Sequence, residues 1–481
     1  MEPETTGDPQ TTGDPQTTGD PEATDDPGMA ASWVARDAGV VWHGFTQMAA
    51  YADNAPLIIE RAEGRELIDV DGRRYLDAIS SLWVNTLGHR VPELDAALVE
   101  QVGKIAHSTM LGHGNAVVVE LAEALRDVVP VDDAHVLFAA DGAVAVEQAL
   151  KIAFQYWVNR GETGRHRFLT LGDAYHGDTV GALSVGGGGV FSAAFDPLCF
   201  PVLRTPGYAD PGWAAKARAA IAAHADELAA VVIEPLVQGA SGMWCAEPDD
   251  VASVGDACRD AGVLLICDEV ATGFGRTGTL FASSRCRLRP DLLCLGKGIT
   301  GGYLPMSATV ASGRVYREFL GDDLGPQTFF HGHSYGGNAL AAAVALRHLR
   351  LVDEWDVLAH VDRRSAQLAA LLAEKVAPHP AVADVRQRGL MVGIELAPPT
   401  GGLRWGRRVC AAAVARGVLL RPLGDVVVVV PPLTVTAGEV YRLVDVVEAA
   451  LDDVTAPDAT GHGPDGATAA GPPVGDAETG R

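Results

Sequence analysis

A lysine and an aspartate about thirty residues apart, each at the end of an apolar run, point to a definite chemistry. Lys297 lies in Asp291-Leu-Leu-Cys-Leu-Gly-Lys-Gly-Ile-Thr-Gly-Gly302, and Asp268 follows Val263-Leu-Leu-Ile-Cys267. An amine delivered by a buried strand into a glycine-rich turn can hold an aldehyde as a Schiff base. A carboxylate at a neighbouring strand end can keep a pyridine nitrogen protonated, so that the ring accepts electrons. Pyridoxal 5'-phosphate chemistry makes both demands. A solvent lysine and a turn aspartate would be written with the same residues, so the surrounding motifs decide between the two readings.

Four further segments leave apolar runs in the same manner. Ala140-Asp-Gly-Ala143 opens a helical pattern that continues to Trp157, and the N–H groups at such a helix start, aided by the dipole, bind phosphate. Asp141 in that turn is equally suited to plain N-capping. Leu169–Thr179 presents Tyr175 and His176, and an aromatic ring there can stack on a pyridine. Glu234-Pro-Leu-Val-Gln-Gly-Ala-Ser-Gly242 and Asp268-Glu-Val-Ala-Thr-Gly-Phe-Gly-Arg-Thr-Gly278 add polar residues after strands.

The elements that must position these residues alternate between helix and strand from about residue 94 to 345. Short buried runs at 136–138, 167–171, 230–234, 263–267 and 291–295 are separated by helical patterns, which predicts an α/β fold with a mainly parallel sheet covered on both faces. Ligands of open α/β sheets lie beyond the carboxyl ends of the strands, where Lys297, Asp268 and Glu234 fall. A hairpin at 57–61 and 66–70, turned at Glu63-Gly64, together with residues 346–451, predicts a smaller α+β domain whose N-terminal part covers 29–93.

The chain resembles the class III, fold-type I pyridoxal phosphate aminotransferases, and within them the 7,8-diaminopelargonic acid synthases of biotin biosynthesis. The resemblance covers about residues 40–450. It rests on Trp42-His-Gly-Phe-Thr-Gln-Met48, Asp71–Trp83, Tyr175-His-Gly-Asp-Thr179, Asp268–Arg276, Phe329-Phe-His-Gly-His-Ser-Tyr335 and Leu420-Arg-Pro-Leu-Gly424. It implies that Lys297 bonds the cofactor and then shuttles a proton, that Asp268 pairs with the pyridinium, and that Tyr175 lies beside the ring and substrate. Gly142 and Ala143 would offer backbone N–H groups to the phosphate. His333 would also bind the cofactor, and Ser334 would add a hydroxyl from the second subunit of a homodimer. Arg421 would clamp the substrate carboxylate, Leu82, Trp83 and Gly332 would line the substrate pocket, and Arg276 would stand at its mouth near the amino donor.

Three features depart from the family pattern. The phosphate turn, usually serine-rich, is Asp141-Gly-Ala143. Leu82 replaces the first of two adjacent tryptophans, and His333-Ser334 replaces the commoner Pro-Thr. The implied reaction converts 8-amino-7-oxononanoate to 7,8-diaminononanoate with S-adenosylmethionine as amino donor. The histidine-glycine segment, 297–305 and Leu82 are also similar to a subgroup that uses lysine as donor. Another class III ω-amino acid aminotransferase and an inactive cofactor-binding protein are the remaining alternatives.

Composition narrows the classes. The chain of 481 residues is 48% hydrophobic, enough for a large core, and carries a formal net charge of −25. That charge excludes a nucleic-acid partner of the phosphate-neutralising kind. Roughly half of it lies in residues 1–28, a Thr-Thr-Gly-Asp-Pro repeat, and in 452–481; both segments are expected to be disordered, and Met29 is an alternative start. No apolar stretch reaches membrane-spanning length and no basic n-region precedes an apolar one, so the chain is expected in the cytoplasm, acting on small molecules. Seven cysteines without a Cys-x-x-Cys pair suit free thiols in a reducing compartment. His331 and His333 lack a third nearby ligand, and no metal site is expected.

Overall fold

A computed structural model of the chain describes residues 28–187, 193–400 and 402–456. The expectations for residues 1–27 and 457–481 lie outside the described residues. The chain divides into two compact units, one of residues up to 61 with 68–74, the other of 62–67 with 75 onward. Within the first, a helix spans Gly28–Val40, followed by the short turns Met48–Ala50 and Ala52–Asn54.

The second unit is organised by a seven-stranded sheet. Its order is His135–Ala139, Ser307–Ala311, Leu292–Leu295, Leu264–Asp268, Leu228–Ile233, Arg167–Leu171 and Leu203–Thr205. The last five run parallel, while Ser307–Ala311 is antiparallel to both neighbours, so six strands point the same way. All five runs read from the sequence are strands of this sheet. Ser307–Ala311 went unread because its small residues alternate with Ser and Thr, and Leu203–Thr205 because three residues give no period.

Alternation along the central strands sends side chains to opposite faces. Leu265, Cys267, Leu293 and Leu295 join a core with the helices Ala116–Val128, Trp213–Ala223 and Pro248–Asp260. Leu264, Ile266, Leu292 and Cys294 pack instead against the helix Gly142–Asn159. A buried face on each side explains why these strands read as unbroken apolar runs.

A third core gathers Leu76, Ala78 and Leu94 with the C-terminal part of the chain. Four antiparallel strands, ordered Val382–Arg388, Met391–Leu396, Val426–Val429 and Arg421–Leu423, meet the helices Val357–Leu371, Trp405–Ala415 and Ala437–Thr455 there. The last helix starts with a capping box, Thr436 to Glu439, and runs to Thr455 with Val454 buried. Residues 452–455 are therefore helical, a correction to the tail expected from Asp452: an apolar residue on the packed face carries the helix one turn further. All seven cysteines are unpaired. No helix among the described residues is long and apolar enough to cross a membrane.

Candidate active site

The strand ends at one edge of the seven-stranded sheet enclose a cleft of about 480 Å³, lined among others by Trp83, Gly142, Ala143, Tyr175, Asp268 and Lys297. Register explains how the chemistry converges. Asp268 is level with Cys294 on the adjacent parallel strand, and Lys297 follows that strand by two residues after the turn residue Gly296. Lys297 adopts φ 41°, a left-handed conformation that turns the chain out of the strand.

Burial lowers the Lys297 amine below its ordinary value, although Asp268 and Glu234 pull it back up. Its Nζ stands 4.8 Å from the centre of the Trp83 ring. Asp268 is 5% exposed. One carboxylate oxygen accepts the Val270 N–H at 3.0 Å, and the other meets His176 Nδ1 at 2.7 Å. An ionised carboxylate only accepts, so Nδ1 carries a proton. Burial presses the His176 pKa down, but the hydrogen bond to Asp268 together with the negative charges of Asp268 and Glu234 outweighs it and the pKa rises. His176 Nε2 is buried without a partner.

Glu234 also lines the cleft, directly after the strand Leu228–Ile233. It accepts the backbone N–H groups of Tyr175 at 3.0 Å and Gly239 at 3.2 Å. Burial, then the nearby Asp268 charge, pushes its carboxyl up to about 7, while His176 opposes the rise. Tyr175 donates its hydroxyl to Asp178 at 2.9 Å, and burial first and Asp178 next raise its pKa. His176 and Glu234 were noticed in the sequence but given no role, because nothing in residue order told that both face Asp268.

The helix Gly142–Asn159 points its N-terminus into this cleft. Its geometry leaves the first N–H groups without intrahelical partners. Asp141 takes the Val144 N–H at 3.1 Å, so it is an N-cap, and it lines the cleft as well. A Cβ on Gly142 would come within 2.6 Å of Val270, which explains the glycine. Ser307 fixes the turn by donating to the Asp141 carbonyl at 2.6 Å. An anion-binding helix start, an amine, a buried carboxylate and an orphaned imidazole nitrogen in one cleft fit pyridoxal phosphate.

Other expected site residues lie elsewhere. Gly332, His333 and Ser334 are exposed and do not line this cleft; the Ser334 carbonyl instead accepts from His107 at 2.6 Å. Leu82 is 45% exposed beside Trp83 and does not line this cleft. Arg421 is half-buried on its strand, with no ion pair among the described residues. Arg276 corrects an expectation. It is not at a pocket mouth but 1% exposed, donating to the carbonyls of Pro431 and Asn85 at 2.6 Å and of Trp83 at 3.4 Å. Burial pushes this guanidinium down to about 9. A guanidinium so occupied braces three backbone segments and has no fork left for a ligand carboxylate.

The wall opposite the sheet is unusual. Ser80, Ser81, Leu82 and Trp83 have φ of 50°, 48°, 75° and 68°. Each non-glycine residue held there costs about 1–2 kcal/mol. Side chains and the Arg276 brace must over-determine the turn.

The family description Aminotransferase class-III matches residues 47–451. The chain belongs to the class III aminotransferases. An adenosylmethionine-8-amino-7-oxononanoate aminotransferase of Nitratidesulfovibrio vulgaris is 44% identical over 464 residues, covering 91% of this chain and 84% of the relative. The enzyme of that name from Methanocaldococcus jannaschii is 39% identical over 87% of this chain and 97% of its own. A crystal structure of the latter superposes with a TM-score of 0.85, covering 89% and 99% of the two chains. An amine transaminase from an uncultivated Pseudomonas species, in its PLP-bound form, is 34% identical with a TM-score of 0.81 over 86% and 98%. The seven-stranded sheet of this class III aminotransferase is thus the fold-type I arrangement that the resemblance implied.

Proposed function

We infer that this chain is an adenosylmethionine-8-amino-7-oxononanoate aminotransferase, which moves an amino group from S-adenosylmethionine to 8-amino-7-oxononanoate and forms 7,8-diaminononanoate in biotin biosynthesis. The observation that carries the reaction type is the convergence of Lys297, Asp268 and the Gly142 helix start in one cleft. Relatives of that name, 38–44% identical over most of the chain, support the substrate.

Pyridoxal 5'-phosphate, when bound, supplies the electron sink that makes a proton on the amine-bearing carbon removable. Gly142 and Ala143 would present backbone N–H groups to the phosphate, with the helix dipole behind them. Asp268, locked in orientation by Val270 and His176, would pair with the ring nitrogen. Lys297 would take the substrate proton at Nζ and return it, and burial, which lowers its pKa, favours the neutral amine this needs. Trp83 sets its ring against the Lys297 amine. Arg421, although it does not line the cleft, would be the cation that receives the substrate carboxylate.

We propose that Gly332, His333 and Ser334 complete the cleft of a second copy in a homodimer. Supporting this, Leu111, Phe330 and Tyr335 are large apolar side chains 60–68% exposed near that segment. We place the enzyme in the cytoplasm, supported by its seven unpaired cysteines.

The test gives purified protein 8-amino-7-oxononanoate with S-adenosylmethionine or with lysine and follows diaminononanoate by mass. Product with S-adenosylmethionine is expected. Product with lysine alone would replace the donor, and no product with either would overturn the substrate.

A further inference from the structure

The left-handed turn that carries Trp83 is held by a hydrogen-bond chain with one consistent direction. Asn85 Oδ1 accepts the Gly88 N–H at 2.7 Å, which commits the amide nitrogen to donate to His89 Nδ1 at 3.0 Å. With Nδ1 accepting, the imidazole proton sits on Nε2, 3.0 Å from Asp77 Oδ2. Asp77 is fully buried and turns its remaining capacity to the strained segment. Its Oδ1 accepts the Ser81 N–H at 2.9 Å, and its Oδ2 accepts the Ser81 hydroxyl at 2.7 Å.

Other contacts secure the rest of the turn. Ser80 donates its hydroxyl to the Val430 carbonyl at 2.7 Å, and Arg276 holds the carbonyls of Trp83 and Asn85. Neither Asp77 nor His89 lines the cleft, whereas Trp83 does, with its ring against Lys297. Four successive side-chain-bearing residues at φ 48–75° relax toward ordinary backbone unless held, and relaxation would carry the ring away from Lys297.

We propose that Asp77 and His89 are positioning residues for the substrate, which act through the Ser80–Trp83 turn to set where the Trp83 ring closes the cleft over Lys297. The inference rests on the transaminase reading above and names what fixes its substrate wall. The bare alternative is that the pair only stabilises the fold. In that case variants that still fold would keep the ring in place.

The experiment uses holoenzyme labelled with 5-fluorotryptophan, in which Trp83→Phe assigns the fluorine resonance of position 83 among the eight tryptophans. Asp77→Asn and His89→Gln are expected to shift or broaden that resonance and leave the other seven. Cofactor absorbance should be unchanged, with KM for 8-amino-7-oxononanoate raised roughly tenfold and kcat within about threefold. In the Trp83→Phe background the same changes should move KM less than about twofold, because the wall they set is gone. A position 83 resonance unmoved in either folded variant, or an equal KM effect in both backgrounds, overturns the proposal. Should Asp77→Asn fail to fold, His89→Gln alters the less buried end of the chain and reads the same resonance. Wild-type enzyme inactive on 8-amino-7-oxononanoate would sink the functional reading alone, since the fluorine spectra still decide the positioning.

Discussion

Lys297 and Asp268 leave adjacent parallel strands paired residue by residue from Ile266 and Leu292 to Asp268 and Cys294, whereas Trp83 is presented by four left-handed residues that belong to no strand. On the sheet side, backbone hydrogen bonds place the chemistry, and a side chain can be exchanged without moving its neighbours. On the turn side, side chains place the backbone: Asp77, Ser80 and Arg276 take over the work of a ladder. Substitutions on the first side should therefore cost chemistry and spare stability, and those on the second should cost both.

The largest effect is expected from Lys297→Ala on the sheet side. Loss of the amine and of the proton carrier should lower turnover by about 10³-fold or more. The thermal midpoint should hold, because the change also removes a desolvated amine. Borohydride reduction and peptide mapping of the wild type should place the cofactor on Lys297, and a label on another lysine would end the assignment.

Arg276→Met tests the turn side. It strips the buried carbonyls of Pro431, Asn85 and Trp83 of their donor, at about 1–3 kcal/mol for each unsatisfied group, partly offset by removing a buried charge. A net loss of about 3 kcal/mol in denaturant unfolding is expected. A stability equal to wild type would show that the turn holds itself, and the contrast between the two sides would collapse.

Glu234 sharpens the contrast, since two backbone N–H groups hold it in a site that disfavours its charge. With its carboxyl pushed up to about 7, the folded chain keeps a proton that the unfolded chain has released above the ordinary carboxylate range. Stability from this group is thus present at pH 4–5 and lost as pH rises toward 7. Glu234→Gln should flatten that slope by about 2 kcal/mol between pH 5 and pH 8. Glu269, likewise pushed up to about 7 by burial, retains its own slope in both proteins. Unfolding curves of the two proteins at both pH values read the difference, and parallel pH profiles would refute it.

The smallest effect concerns Asp141, an exposed cap beside the phosphate turn. Asp141→Ser keeps the cap oxygen and removes a charge from a site built for a dianion. Cofactor should bind about two- to fivefold more tightly, with the gain shrinking as salt rises. Equal or weaker binding in an absorbance titration would mean that the carboxylate acts as a cap alone.

The parallel strands were legible because burial on both faces leaves unbroken apolar runs, and Lys297, Asp268 and Glu234 were legible because they end those runs. Arg276 was found as a motif residue but misplaced, since an arginine in a glycine-rich loop is written the same whether it meets a ligand or three carbonyls. The Asp77–His89 chain had no signal at all. Its members stand twelve positions apart across irregular backbone, and no period links them.

Residue order alone thus settles which groups stand at the strand ends, because strand pairing is periodic and burial writes that period into composition. It does not settle what closes the cleft over them. That depended on the neighbouring Asp77 and on Arg276 and Val430, the last two brought from distant parts of the chain onto one left-handed turn. A backbone conformation that no local preference favours exists only where the tertiary fold supplies enough hydrogen bonds to hold it.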